Sequence, residues 1–193
     1  MIEIEIKCQP TAEQKTELLK DATFVGEYID TDIYYDTSEY DLTCKDFWLR
    51  KRNGKFELKK PVQTHAKHEI DDEDQIRIEL NLSKQGSLQD ALEEVGYKEL
   101  YILIKHRKQY TKEGINLDFD TLIFGDKALE LFCEFEIMVE KPEQVEKAKQ
   151  KLIDFARRHG ITREPIKGDL LTLIKKLNPE HYEAIQRARE QKK

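Results

Sequence analysis

Acidic and basic side chains stand at every second position along several short segments of this chain. Glu3, Glu5 and Lys7 alternate with Ile2, Ile4 and Ile6, and Arg50 and Arg52 follow Trp48 at the same spacing. Glu57 and Lys59 share a period-two face, as do Arg77 and Glu79, Lys105 and Arg107, Asp118 and Asp120, and Glu134 and Glu136. The basic members can neutralise a polyphosphate, with arginine gripping oxygens in bidentate fashion. Clustered carboxylates would repel that anion unless a cation lay between them. Hard oxygen ligands beside phosphate are what Mg²⁺ or Mn²⁺ prefers. The two sets together imply a pocket for a divalent metal and a small-molecule polyphosphate.

The elements that must position these groups are strands, because strict alternation throws successive side chains to opposite faces. Ile2–Lys7 reads as the first. Two extended stretches, 24–30 and 32–37, come next, and Phe47–Arg52 and Lys55–Lys60 form a hairpin around Asn53-Gly54. Residues 62–74 read as a polar loop; His65 and His68 lie in it with no further ligand pattern around them. Strands are expected again at Gln75–Leu80, Tyr101–Tyr110, Ile115–Asp120 and Phe132–Ile137. Helices are expected after Thr11, from Ser87 to Val95, from Pro142 to His159, from Asp169 to Leu177 and after Asn178-Pro179.

Each strand has one charged and one apolar face, and the helices carry apolar stripes that need a surface to lie on. If the charged faces point inward, the apolar faces become an outer wall and the helices cover it. The expected fold is therefore α+β: an eight-stranded antiparallel barrel with a charged interior and helices outside. Residues 1–193 are expected to form one domain, the helices at about 169–190 packing on or plugging the barrel.

Composition agrees with a soluble protein: 38% hydrophobic and 37% charged residues, with a net charge of −6. That balance argues against nucleic acid as a bulk partner. No apolar run approaches the roughly 18 residues of a membrane span, and no signal peptide is evident at the N-terminus, so a cytoplasmic monomer is expected. The three cysteines, Cys8, Cys44 and Cys133, show no C-x-x-C spacing and read as reduced thiols.

Glu3-Ile4-Glu5-Ile6-Lys7 resembles the E-x-E-x-K opening of the CYTH, or triphosphate tunnel metalloenzyme, superfamily. The resemblance continues in order through Tyr34-Tyr35-Asp36-Thr37, Phe47–Arg52, Glu57-Leu58-Lys59, Ile78-Glu79, Lys105 with Arg107, Asp118-Phe119-Asp120, Glu134-Phe135-Glu136 and Lys167. Within the superfamily, the Asp46-x-Trp48-Leu49-Arg50-x-Arg52 block and the tail from Leu177 to Tyr182 look like the thiamine triphosphatase branch.

What this resemblance implies is metal-dependent hydrolysis of a triphosphate, thiamine triphosphate first. Inorganic tripolyphosphate, a class IV-type adenylyl cyclase reaction and a non-catalytic polyphosphate-binding module are the alternatives. By the same mapping Glu3, Glu5, Asp118, Glu134 and Glu136 hold the metal or its water, and Lys7, Arg50, Arg52, Lys59, Arg107 and Lys167 bind the triphosphate. Charged-face geometry adds Asp120 to the first set and Arg77 and Lys105 to the second. Trp48 is placed to stack on an organic cation. For chemistry, Lys59 and Arg52 are expected to stabilise phosphoryl charge, and Glu5 or Glu79 to orient water. Arg77 departs from the branch, which tends to carry an uncharged residue there, and an extra tunnel cation would favour a smaller, more anionic substrate.

Overall fold

The structure is a computed structural model that describes residues 1–63, 66–125, 127–161 and 169–191. Eight antiparallel strands close into a barrel: β1 (Ile2–Cys8), β2 (Thr23–Asp36), β3 (Trp48–Arg52), β4 (Lys55–Gln63), β5 (Ala66–Ile70), β6 (Lys98–Lys112), β7 (Ile115–Phe124) and β8 (Lys127–Val139). Around the barrel they run in the order β1-β5-β4-β3-β2-β6-β7-β8, so the first and last strands meet at one seam. Strand alternation places the charged faces inward and the apolar faces outward. Two helical layers cover that outer wall.

Over β1, β7 and β8 lie α1 (Ala12–Leu19) and α4 (Val145–Arg158). Thr11 caps α1 in a reciprocal box with Gln14, and Val145, Ala148, Leu152, Phe155 and Ala156 form the buried stripe of α4. Phe155 meets Phe135 of the wall edge to face, with ring centroids 5.4 Å apart. A second apolar cluster joins Leu49, Phe56, Leu58 and Ile70 of β3–β5 to Ile76, Leu88 and Leu92 of α2 (Glu73–Leu80) and α3 (Leu88–Glu94). Among the described residues no helix is long and apolar enough to cross a membrane.

Helices α5 (Asp169–Leu177) and α6 (Pro179–Glu190) do something different. Their Leu170, Leu173, Ile174 and Ile185 pack with Trp48, Tyr101, Leu103 and Leu122, which face into the barrel. One end of the tunnel is thereby filled with apolar side chains. His181 anchors this cap: its ring lies 2.7 Å from Thr43 Oγ1 and 2.8 Å from the Tyr101 hydroxyl, and stacks on Tyr40. Burial pulls its pKa down to about 4, so the neutral ring is the one that fits.

Three local expectations are corrected. The two extended stretches before Thr37 are one continuous strand, β2, whose pairing with β6 shifts register between Phe24 and Gly26 and again between Tyr34 and Tyr35. The expected loop 62–74 contains β5, whose alternation is masked because its outward positions are Ala66, His68 and Ile70. The expected strand Gln75–Leu80 is helix α2. Asp72 accepts a hydrogen bond from the Gln75 amide at 2.8 Å, Glu73 and Asp74 sit in the first turn, and Asn81 closes the helix with φ at 54°. The acidic run is thus the N-terminal signal of α2. Helical spacing buries Ile76 and turns Ile78 outward, whereas a strand would have aligned them.

Candidate active site

The open part of the tunnel is lined by ion pairs between neighbouring strands. Arg107 of β6 donates to both oxygens of Asp120, at 2.7 Å each, to Glu134 at 2.6 Å and to Asp118. Register explains the convergence, since Arg107 is paired with Asp120 and Asp118 with Glu134. Glu134 also accepts from Lys7, its register partner on β1, and lies 3.8 Å from Lys105. Burial opposes ionisation of Glu134, but Lys105, Lys7 and Arg107 outweigh it and hold its pKa well below the usual carboxylate range.

On the other wall Asp32, fully buried, takes a bidentate pair from Arg52 at 2.6 and 2.7 Å and lies 3.4 Å from Arg50. Arg50 also donates twice to Glu57, at 2.6 and 2.7 Å. Lys59 is paired with Glu3 and lies 3.7 Å from Glu69, and Lys7 approaches Glu5 at 3.3 Å. Lys67 projects inward from β5, its ammonium 5.2 Å from the centroid of the Trp48 ring and 3.7 Å from Asp46.

This lining is a charged tunnel able to hold a polyanion, and a family comparison says which tunnel it is. The model of the CYTH domain matches residues 1–165. The chain belongs to the CYTH domain family. A Methanocaldococcus jannaschii protein described as a candidate adenylate cyclase is 26% identical over 173 residues, covering 86% of this chain and 94% of that one. Among solved structures, one from Pyrococcus horikoshii is similar with a TM-score of 0.63 and 24% identity, covering 90% of this chain and 99% of that one. Another is of a candidate adenylyl cyclase from Hippeastrum described as having a dominant triphosphatase activity. It has a TM-score of 0.54 and 20% identity, and covers 93% of this chain and 99% of that one.

CYTH enzymes are metal-dependent, and the donor chemistry of this CYTH domain fits a hard divalent cation. Burial, together with the charges of Glu3, Asp118 and Glu134, pushes the pKa of Glu136 up to about 7. Burial likewise raises that of Asp118. A local surplus of carboxylate around Glu136 is what a cation relieves. Among the described residues no three acidic, His or Cys side chains converge tightly enough to chelate an ion in this arrangement, because Glu3, Asp118 and Glu134 are turned toward lysine and arginine.

Glu136 makes a pH test. Its carboxyl has an ordinary value of 4.5 and titrates near 7 in the fold, so the stability conferred by its proton is complete below about 4.5 and is lost as pH rises through 7. In metal-free buffer Glu136→Gln should raise stability at pH 8 by about 2 kcal/mol, after allowing for partial solvation, and flatten the profile between pH 5 and 8. A denaturation midpoint that tracks wild type across that range would remove Glu136 from the acidic cluster.

The CYTH tunnel brings together Glu3, Glu5, Lys7, Arg50, Arg52, Lys59, Lys105, Arg107, Asp118, Asp120, Glu134 and Glu136 as expected from sequence. Arg77 and Glu79 are corrected. Both belong to α2, outside the barrel, where Arg77 donates to the carbonyls of Ser83 and Gly86 and Glu79 accepts from Lys60 at 2.6 Å. Glu79→Ala should leave turnover within about twofold of wild type; a loss of tenfold or more would return it to the site. Lys167 lies outside the described residues, as does His65.

Trp48 faces inward but at the capped end, 9% exposed, with its indole N–H donating to Asp46 at 2.9 Å. Sequence reasoning missed Asp32, Lys67 and Glu69. Asp32 stands two positions before Tyr34 in an extended stretch, where the period-two signal was present, whereas around Lys67 and Glu69 the small Ala66 and polar His68 hid it.

Proposed function

We propose that this CYTH protein is a divalent-metal-dependent triphosphatase, cleaving the terminal phosphate of a triphosphate to give a diphosphate and orthophosphate. The observation that carries this reading is the tunnel lining itself, in which Lys7, Arg50, Arg52, Lys59, Lys105 and Arg107 interleave with carboxylates instead of forming a purely basic groove. Binding of an anion alone would gain little from so many carboxylates. The Hippeastrum relative's triphosphatase activity supports the same reaction class.

In this proposal the carboxylates around Glu136, with Glu3, Glu5, Asp118, Asp120 and Glu134, hold Mg²⁺ or Mn²⁺, which supplies charge neutralisation at the phosphates. The guanidinium groups of Arg50, Arg52 and Arg107 grip phosphate oxygens, and Lys59 and Lys7 neutralise charge developing on the transferred group. Glu5, at the less buried side of its pair with Lys7, orients the attacking water.

Thiamine triphosphate is the substrate supported by the resemblance of the Trp48 block. Inorganic tripolyphosphate is favoured by a separate observation: the ammonium of Lys67, an additional tunnel cation, already lies over the Trp48 ring, where an organic cation would have to compete with it. Comparing phosphate release from the two at equal concentration decides between them. Preference for thiamine triphosphate that disappears in Trp48→Ala supports the first, and equal or faster turnover of tripolyphosphate, unchanged by that substitution, supports the second.

A further inference from the structure

Cys8 closes β1, and Cys133 stands directly opposite it on β8, at the seam where the first and last strands meet. Both side chains belong to the apolar layer of the outer wall beneath α1 and α4, Cys133 with no exposure and Cys8 with 6%. Burial, with the Cys8 side chain beside it, holds the pKa of the Cys133 thiol above its ordinary value. The two lie far apart in sequence, and only the closure of the barrel brings them together. Cys44 stands elsewhere, in the 3-10 turn Thr43–Lys45.

Residues directly opposed on antiparallel strands have Cα atoms about 4.5 or 5.5 Å apart, depending on the hydrogen-bonding site. Both values fall within the roughly 4.4–6.8 Å that a disulfide spans. We infer that Cys8 and Cys133 form a site for an intramolecular disulfide that staples the barrel at its closing seam. The bond would link the seam covalently on the wall side, while Glu3, Glu5, Lys7, Glu134 and Glu136 point from the same two strands into the tunnel. It therefore leaves the charged lining in place.

The chemistry balances with a small disulfide as oxidant. The Cys8 thiolate, at a strand end and the more accessible of the two, attacks the small disulfide and expels one of its thiols. The Cys133 thiolate then attacks the Cys8 sulfur and expels the second. Two protein thiols lose two protons and two electrons, and the small disulfide becomes two thiols. Burial raises the pKa of the Cys133 thiol, so the resolving step should accelerate with pH. Cross-linking residues so distant in the chain restricts the unfolded state strongly.

The test uses the full chain carrying Cys44→Ser, incubated with oxidised glutathione at pH 8, both as folded protein and during refolding from denaturant so that burial does not limit access. Free thiols counted after unfolding should fall from two to zero, one proteolytic peptide should join Cys8 to Cys133, and the unfolding midpoint should rise by several degrees with turnover retained. Two thiols persisting in both arms, or glutathione remaining attached to Cys8, overturns the site. A joined pair whose midpoint does not move overturns the staple. Cys8→Ser in the same background should abolish the joined peptide, which shows that the link is the one proposed.

Discussion

Arg107→Ala is expected to destabilise the barrel by about 3–5 kcal/mol, the range for removing one partner of a buried charge network. The reason is geometric. Arg107 is the shared cation of Asp118, Asp120 and Glu134, of which the two aspartates are fully buried and the glutamate nearly so. Its removal leaves Lys105 and Lys7 to neutralise what three groups neutralise now. The loss is a large share of the stability of a typical domain, so chemical denaturation should show it plainly. Arg107→Lys should recover only part, since an ammonium cannot reproduce the guanidinium fork. Because the destabilisation comes from unpaired carboxylates, Mg²⁺ should stabilise the alanine variant more than it stabilises wild type. An unchanged midpoint for Arg107→Ala would mean that the carboxylates are neutralised by other means.

Lys59→Ala is expected to have the largest effect on activity, lowering triphosphate turnover about 10²–10³-fold, as for loss of one preorganised charge-stabilising donor. Lys59 extends from β4 toward Glu3 of β1, between Glu69 and the Arg50 side of the tunnel, so its ammonium can neutralise a phosphoryl oxygen while remaining tied to the acidic set. Glu3 would lose its partner, but the hairpin that carries position 59 is held by backbone pairing with β3 and β5 and should persist. Circular dichroism close to wild type with turnover reduced a hundredfold supports the role. Turnover within a few-fold of wild type would take Lys59 out of the chemistry.

The site was legible in the sequence where one physical signal dominated. Glu3, Glu5 and Lys7, or Asp118 and Asp120, alternate with large aliphatic or aromatic residues, and a period of two against a fully apolar partner face admits only one orientation. The interior location of the charges followed from the helices, whose stripes needed an apolar wall. The reading failed where two signals coincided.

Ile76, Ile78 and Leu80 alternate as in a strand, yet the residues before them, Asp72, Glu73 and Asp74, supply the cap and first-turn charge of a helix, and the cap prevailed. Assigning a strand there moved Arg77 and Glu79 into the tunnel and left Lys67 and Glu69 in a loop. The same error placed the extra cation at Arg77, whereas the tunnel cation is Lys67. The capped end of the tunnel was less visible still. Whether the indole of Trp48 meets a ligand or Leu170 and Ile174 depends on where α5 and α6 return, and nothing local to Trp48 encodes that.

The measurement that bears most directly on the proposed reaction is product analysis after incubating the purified chain and a triphosphate with Mg²⁺ or Mn²⁺, using ATP, tripolyphosphate and thiamine triphosphate in parallel. Orthophosphate and the corresponding diphosphate, formed only when the metal is present and lost in Lys59→Ala, are the predicted result. Pyrophosphate with cyclic AMP from ATP, or no metal-dependent product from any of the three, would contradict the triphosphatase reading.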